Sequence, residues 1–297
     1  MKIRVLAGGL VCVAAALSLS ACGGSGVDAK DPAAVSKAIE TQLSAKGGDR
    51  VFSVSLGQDG DGMIGYRKGD APPSWVSLSG GEATSEAADF MTGVPVDKVP
   101  VAGLVKMAQR AGEKCAGEGN AEAVLFGENG SLINGSCPKD SGPPMLQSLN
   151  GKDIGLTKDL TDASSLEQYI AGARESMGNE STGIMMSIHS TDPLLSISGP
   201  IVKSGTEDCQ LDMGFGYPNG VTYSTTCTSP NPNEITKVQL DKLSGQKVAD
   251  ALVAGAKQMN LASPKEIKYV SIYSKDGHTY AEMSAANVVA MAQVEIV

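Results

Sequence analysis

Three short stretches of the chain carry residue types that could do chemistry. In "GQDGDGMIGY", Asp59, Asp61, Gly62 and Ile64 echo the middle of an EF-hand calcium loop. Setting Gly62 at the sixth, turn-forming position puts Gly57 first and Lys68 twelfth, where such a loop needs an aspartate and a bidentate glutamate. A lysine there disqualifies the loop, and the stretch reads instead as a polar hairpin turn whose Asp-Gly steps tolerate positive φ. Ser244-Gly245-Gln246-Lys247 has the S-x-x-K spacing of a serine nucleophile, with Ser229-Pro230-Asn231 and Lys203-Ser204-Gly205 as the S-x-N and K-[ST]-G fragments that accompany it. The three fragments run in the reverse of the usual chain order, and Ser244 is more simply a helix N-cap. His189 and His278 are isolated from each other and from any H-E-x-x-H, so neither a zinc site nor a histidine-based triad has its material. With no G-x-S-x-G, Walker loop or dinucleotide fingerprint, the expectation is a non-enzymatic protein that holds neither a metal nor a cofactor.

The six cysteines carry the more specific signal. Lys2 and Arg4 precede an apolar run from Val5 to Leu19 that is short for a bilayer span, as in an export signal. The run ends in Leu19-Ser20-Ala21-Cys22, which resembles the lipobox of bacterial lipoproteins: an aliphatic residue three before the cysteine, and small residues between. That resemblance implies lipid on the Cys22 thiol, cleavage before it by signal peptidase II, and a signal peptide over residues 1–21. Gly23-Gly24-Ser25-Gly26 follows as the start of a flexible tether over residues 22–30. Two or three acyl chains, at about 0.8 kcal/mol per buried methylene, would anchor the chain stably. The expected location is the extracytoplasmic face of a cell membrane.

Cys12 leaves with the signal, so Cys115, Cys137, Cys209 and Cys227 remain in an oxidising compartment. Four cysteines allow three connectivities. Sequence order favours Cys115–Cys137 and Cys209–Cys227, because each pair brackets one expected hairpin, turning at "GENG" (Gly127 to Gly130) or "YPNG" (Tyr217 to Gly220). Each bond would close a loop of about 20 residues and contribute on the order of 3 kcal/mol. No C-x-x-C occurs to make a redox pair.

Removing residues 1–21 takes two of the 24 basic side chains and none of the 33 acidic ones, so a formal charge of -9 becomes -11. Such a body has no electrostatic route to phosphate backbones, which excludes nucleic acid as a partner.

The elements that must position these residues alternate in kind. Helical periodicity runs over Pro32–Ala45, with Asp31 as N-cap, and over Val101–Lys114, Ser165–Met177 and Ser244–Asn260. Each is followed by alternating, β-branched residues: "VFSVSLGQDGDGMIGYR", "AEAVLFGENGSLINGSC", "GIMMSIHSTDPLLSIS" and "IKYVSIYSKDGHTYAEMS". The fold class is therefore α+β, built of repeated helix plus antiparallel β-hairpin modules in two similar halves, with helices packed on antiparallel sheets. "CPKDSGPPMLQSLNGKD" places a boundary between domains over residues 31–150 and 151–297. Aromatics are 4% of the chain, so the core rests on aliphatic side chains and methionine.

Two features suggest binding. Trp75, the single tryptophan, follows Pro72-Pro73 and could anchor a partner, although such a residue more often covers the edge of a core. Met185, Met186, Met213 and Met283 fall in strands, where they fill a core or line an adaptable apolar pocket. The expected function is a membrane-anchored binding or envelope-assembly module with a protein partner. The alternative is a carrier that shelters a lipid or other apolar ligand in a sheet-helix cavity; an envelope enzyme ranks below both. The chain is similar to mycobacterial lipid-carrier lipoproteins and LolA-type carriers in its lipobox and α+β alternation, while no motif of theirs recurs in it.

Overall fold

The computed structural model describes residues 27–69, 71–83, 93–126, 130–137, 144, 146–155, 157, 159–204, 207–227, 237–287 and 289–297. The lipobox with Cys22, the glycine tether to Gly26, most of the "GENG" turn, Gly205 and the S-x-N fragment lie outside them. Among the described residues the protein is a mixed α+β chain with four α-helices and mostly antiparallel sheets. It divides into two compact units between Ile154 and Gly155, whereas the expected boundary fell at 150/151. The difference comes from Asn150-Gly151. Both residues take positive φ, 51° and 78°, the conformation of a tight hairpin turn, so the chain turns back into one more short strand before leaving the sheet.

In the N-terminal unit, α1 (Pro32–Lys46) precedes the meander β1 (Arg50–Gly57), β2 (Gly62–Arg67), β3 (Ser74–Ser77) and β4 (Glu82–Ala83). After β5 (Val94–Pro95), α2 (Val101–Lys114) precedes a second meander, β6 (Asn120–Phe126), β7 (Gly130–Ser136), β8 (Leu146–Leu149) and β9 (Lys152–Asp153). The sheet order is β4-β3-β2-β1-β6-β7-β8-β9, with β5 beside β1, so the first strands of the two meanders meet at its centre. Asp31 caps α1 by accepting from the Ala33 N–H, and Gly47 ends it at φ 69°, where glycine adopts the left-handed conformation without a steric cost.

One sheet face takes both helices. The cross-strand row Val76, Ile64, Val54, Ala123 and Ile133 packs with Val35, Ile39 and Leu43 of α1 and Leu104, Val105 and Ala108 of α2. Full burial of each aliphatic side chain contributes about 1.5–3 kcal/mol.

The C-terminal unit begins with α3 (Ala163–Met177) and β10 (Glu180–Ser181), then the meander β11 (Gly183–Ser187), β12 (Leu194–Ser204), β13 (Glu207–Gly216) and β14 (Gly220–Cys227). It continues with β15 (Val238–Gln239), α4 (Gly245–Gln258) and β16 (Ile267–Lys275), β17 (His278–Ala285) and β18 (Met291–Glu295). The sheet order is β14-β13-β12-β11-β16-β17-β18, and β10 pairs with β15. Phe215, Leu195, Met186, Val270 and Met283 form one buried row, and Tyr169 of α3 stacks on Phe215 with ring centroids 4.9 Å apart. The strand pairs expected after the helices are present and continue into longer antiparallel meanders.

Candidate functional site

The sequence-predicted chemical residues are held in structural roles. Ser244 Oγ accepts from the Lys247 backbone N–H at 3.2 Å as the N-cap of α4, and Lys247 Nζ donates to the Lys242 carbonyl at 3.0 Å, so the ammonium is not turned on the serine. Asp59 Oδ1 accepts from the Asp61 N–H at 3.2 Å, and Gly60 takes φ 85°, inside the β1–β2 turn. Among the described residues no three of His, Cys, Asp and Glu are grouped as a metal site would need. His189 Nδ1 lies 3.1 Å from the Lys265 carbonyl oxygen and His278 Nδ1 2.6 Å from Glu295 Oε1, far from nucleophile geometry in either case.

Cys115, the C-cap of α2, is bonded to Cys137 just past β7, with Cα atoms 5.4 Å apart. The bond ties the helix to the β6–β7 hairpin. Cys209 is disulfide-bonded as well, and Cys227 stands directly opposite it in the β13–β14 register.

What remains for function is the face of each sheet that the helices leave. In the N-terminal sheet this second face consists of two neighbouring rows of opposite character. One row runs Trp75, Gly65, Ser53, Val124, Leu132 and Leu149 across six strands. A bulge between Val51 and Ser53 turns Phe52 onto the same face. Its ring lies over Gly65, where a Cβ would come within 2.4 Å of it, and meets Trp75 edge-on at 5.2 Å. The adjacent row is polar: Ser55, Glu122, Asn134 and Gln147, with Met63 and Ser77 at its far end.

This face is buried, with Val124, Leu132, Leu149 and Phe52 each at most 2% exposed, and Asn134 and Gln147 at 4% and 5%. Gln147 Nε2 donates to Asn134 Oδ1 at 2.9 Å. Asn134 Nδ2 and Trp75 Nε1 are buried and have no hydrogen-bond partner among the described residues. Burial pushes the Glu122 carboxyl above the ordinary glutamate value, and the 3.4 Å hydrogen bond from Ser53 Oγ offsets only part of that rise. The Trp75 expected as an anchor is thus half-buried on Phe52, inside this face.

The second face of the C-terminal sheet is different. Leu194, Ser187, Tyr269, Ser284 and Met291 form one row across five strands, in which every other residue is an exposed large apolar side chain. Met185 stands in the next row between Ser196 and Ser271. It is 64% exposed, while Met186, Met213 and Met283 are buried beneath the helices. Asp212 lies further along this face, and burial raises its carboxyl despite hydrogen bonds from Ser198 and Thr226.

Neither protein-family models nor curated proteins match the chain.

Sequence reasoning missed the striped C-terminal row and the polar row of Glu122, Asn134 and Gln147. The phase of each strand carried the signal: Tyr269 and Met185 fall out of step with the inward Val270, Ile272, Ile184 and Met186.

Proposed function

We propose that this chain is a lipid-anchored lipoprotein of the extracytoplasmic membrane face, acting as a non-enzymatic binding or envelope-assembly module with a protein partner. The observation that carries the binding role is the striped row of the C-terminal sheet. Leu194, Tyr269 and Met291 stand exposed on one sheet face with small serines between them, and Met185 stands beside it. Interfaces gather their energy at such clustered aromatic and methionine side chains. The anchor rests on the lipobox at Leu19–Cys22 and the tether that follows.

The test is a photo-crosslinking residue at Tyr269 in the intact cell envelope, with the same residue at Lys37 of α1 as control. A discrete crosslinked envelope protein from position 269, absent from position 37 and lost in Met185→Asp, is expected. The same crosslinks from both positions would refute the interface.

A second reading, the carrier of a lipid or other apolar ligand, is supported by the N-terminal sheet, whose second face joins an apolar row to a polar one, each with one buried donor that lacks an acceptor, Trp75 Nε1 and Asn134 Nδ2.

The repeat reading also belongs here. In each unit, two helix-plus-meander modules place their first strands side by side at the centre of the sheet. That shared order supports four copies of one module, arranged as two similar halves.

A further inference from the structure

The outer face of the C-terminal sheet sets two methionines apart from the rest. Met185 is 64% and Met291 69% exposed, whereas Met107, Met186, Met213, Met259 and Met283 are at most 6% exposed. Among the described residues these two are the exposed methionines. Both stand on the striped face, Met291 in the row of Leu194 and Tyr269, and Met185 in the next row between Ser196 and Ser271.

The exposed sulfurs are open to chemistry that the other sulfurs are not. Cys115, Cys137 and Cys209 are already disulfide-bonded and have no thiol left to oxidise. A thioether reacts with hydrogen peroxide when the oxidant reaches its lone pair. The sulfur attacks one peroxide oxygen, the O–O bond breaks, and the departing hydroxide takes the proton from the transferred OH. Sulfur thereby loses two electrons, the peroxide is reduced to water, and a flexible apolar side chain becomes a polar sulfoxide. On a face whose attraction is apolar, covering that new oxygen without a donor is unfavourable. The buried methionines are shielded, so the face changes character while the core beneath it does not.

We propose that Met185 and Met291 are paired oxidation sites, converted to sulfoxides by hydrogen peroxide, and that this modification closes the C-terminal face to its partner. A thiol-dependent methionine sulfoxide reductase reopens it, two thiols becoming a disulfide as the oxygen leaves in water. The proposal rests on the interface reading above and names how that surface is regulated.

Full-chain protein purified in detergent is exposed to hydrogen peroxide and mapped by peptide mass spectrometry, with fragment ions separating Met185 from Met186. These neighbours share one local sequence and differ in burial, so each is the other's control. Met185 and Met291 should each gain one oxygen roughly tenfold faster than Met186, Met213 and Met283. In isolated envelope, peroxide given before illumination should cut the crosslink from position 269 by about tenfold, and reductase with dithiothreitol should restore it. In the double variant Met185→Leu and Met291→Leu, crosslink yields with and without peroxide should agree. Equal oxidation rates at Met185 and Met186 would overturn the sites. Selective oxidation with an undiminished crosslink, or an equal loss in the double variant, would overturn the switch and leave the interface standing. No crosslink from untreated protein would overturn interface and switch together, with the two oxidation sites still decided by the mapping.

Discussion

The backbone N–H of Gly245 donates to Glu167 Oε2 at 2.7 Å, so a carboxylate of α3 closes the first turn of α4. A Cβ on Gly245 would come within 2.1 Å of the Ala163 carbonyl oxygen and 2.4 Å of the Glu167 nitrogen. Both neighbours are backbone and cannot swing aside. Gly245→Ala is therefore expected to destabilise the C-terminal unit by about 1–3 kcal/mol, read as a lower urea midpoint. Glu167→Ala should cost about 1 kcal/mol through the lost cap. A Gly245→Ala midpoint equal to that of the wild type would contradict this packing.

The Cys115–Cys137 bond closes a loop with a sequence separation of 22. Replacing both cysteines by serine should cost about 3 kcal/mol by the loop-entropy argument. Peptide mapping without reduction should link Cys115 to Cys137, and Cys209 to its register partner Cys227; a crossed linkage would undo the assignment.

Glu122 makes stability fall with alkalinity. Its carboxyl is raised in the folded state above the ordinary glutamate value of 4.5, so in the window above 4.5 the native protein binds more protons than the unfolded chain. Its contribution is greatest below that window and is lost as pH rises through the folded value. Glu122→Gln, neutral at every pH, should raise the unfolding midpoint at pH 7 relative to the wild type and change it little near pH 4. A gain of the same size at both pH values would point to packing instead of protonation.

The two faces of the C-terminal sheet should answer methionine truncation differently. Met213 is fully buried, and Met213→Ala should cost about 2–5 kcal/mol. Met185 is 64% exposed, and Met185→Ser should change stability by at most about 0.5 kcal/mol. Thermal melts of the pair check this directly.

Membrane attachment tests the lipobox. Cys22→Ala should release the protein in soluble form from fractionated cells, and a variant that still sediments with membranes would refute the lipid on Cys22.

Much of the local structure was legible in the sequence because its causes are local. Val101–Lys114 is helical over the predicted range, and Asp31 and Ser244 are the N-caps that their positions suggested. Backbone capping and a 3.6-residue apolar period depend on neighbours within one turn. The Asn150-Gly151 turn was just as local, yet it lies in a stretch whose prolines and glycines suggested a linker. The candidate faces were less legible. Met185 and Met186 are adjacent and chemically identical, and only the pleat decides that one is exposed and the other buried.

From the sequence alone came the acidic charge, the α+β alternation and the cysteine arithmetic, together with the resemblance of Leu19–Cys22 to a lipobox, all consequences of composition or of short-range spacing. Only the tertiary structure decided that β1 and β6, and likewise β11 and β16, meet at the centre of their sheets. The pairing of β1 with β6 joins residues as distant as Trp75 and Leu149 into one row, and sets Ser55 beside Glu122. Long-range strand register follows from where each buried face finds its cover, which no local window of sequence contains.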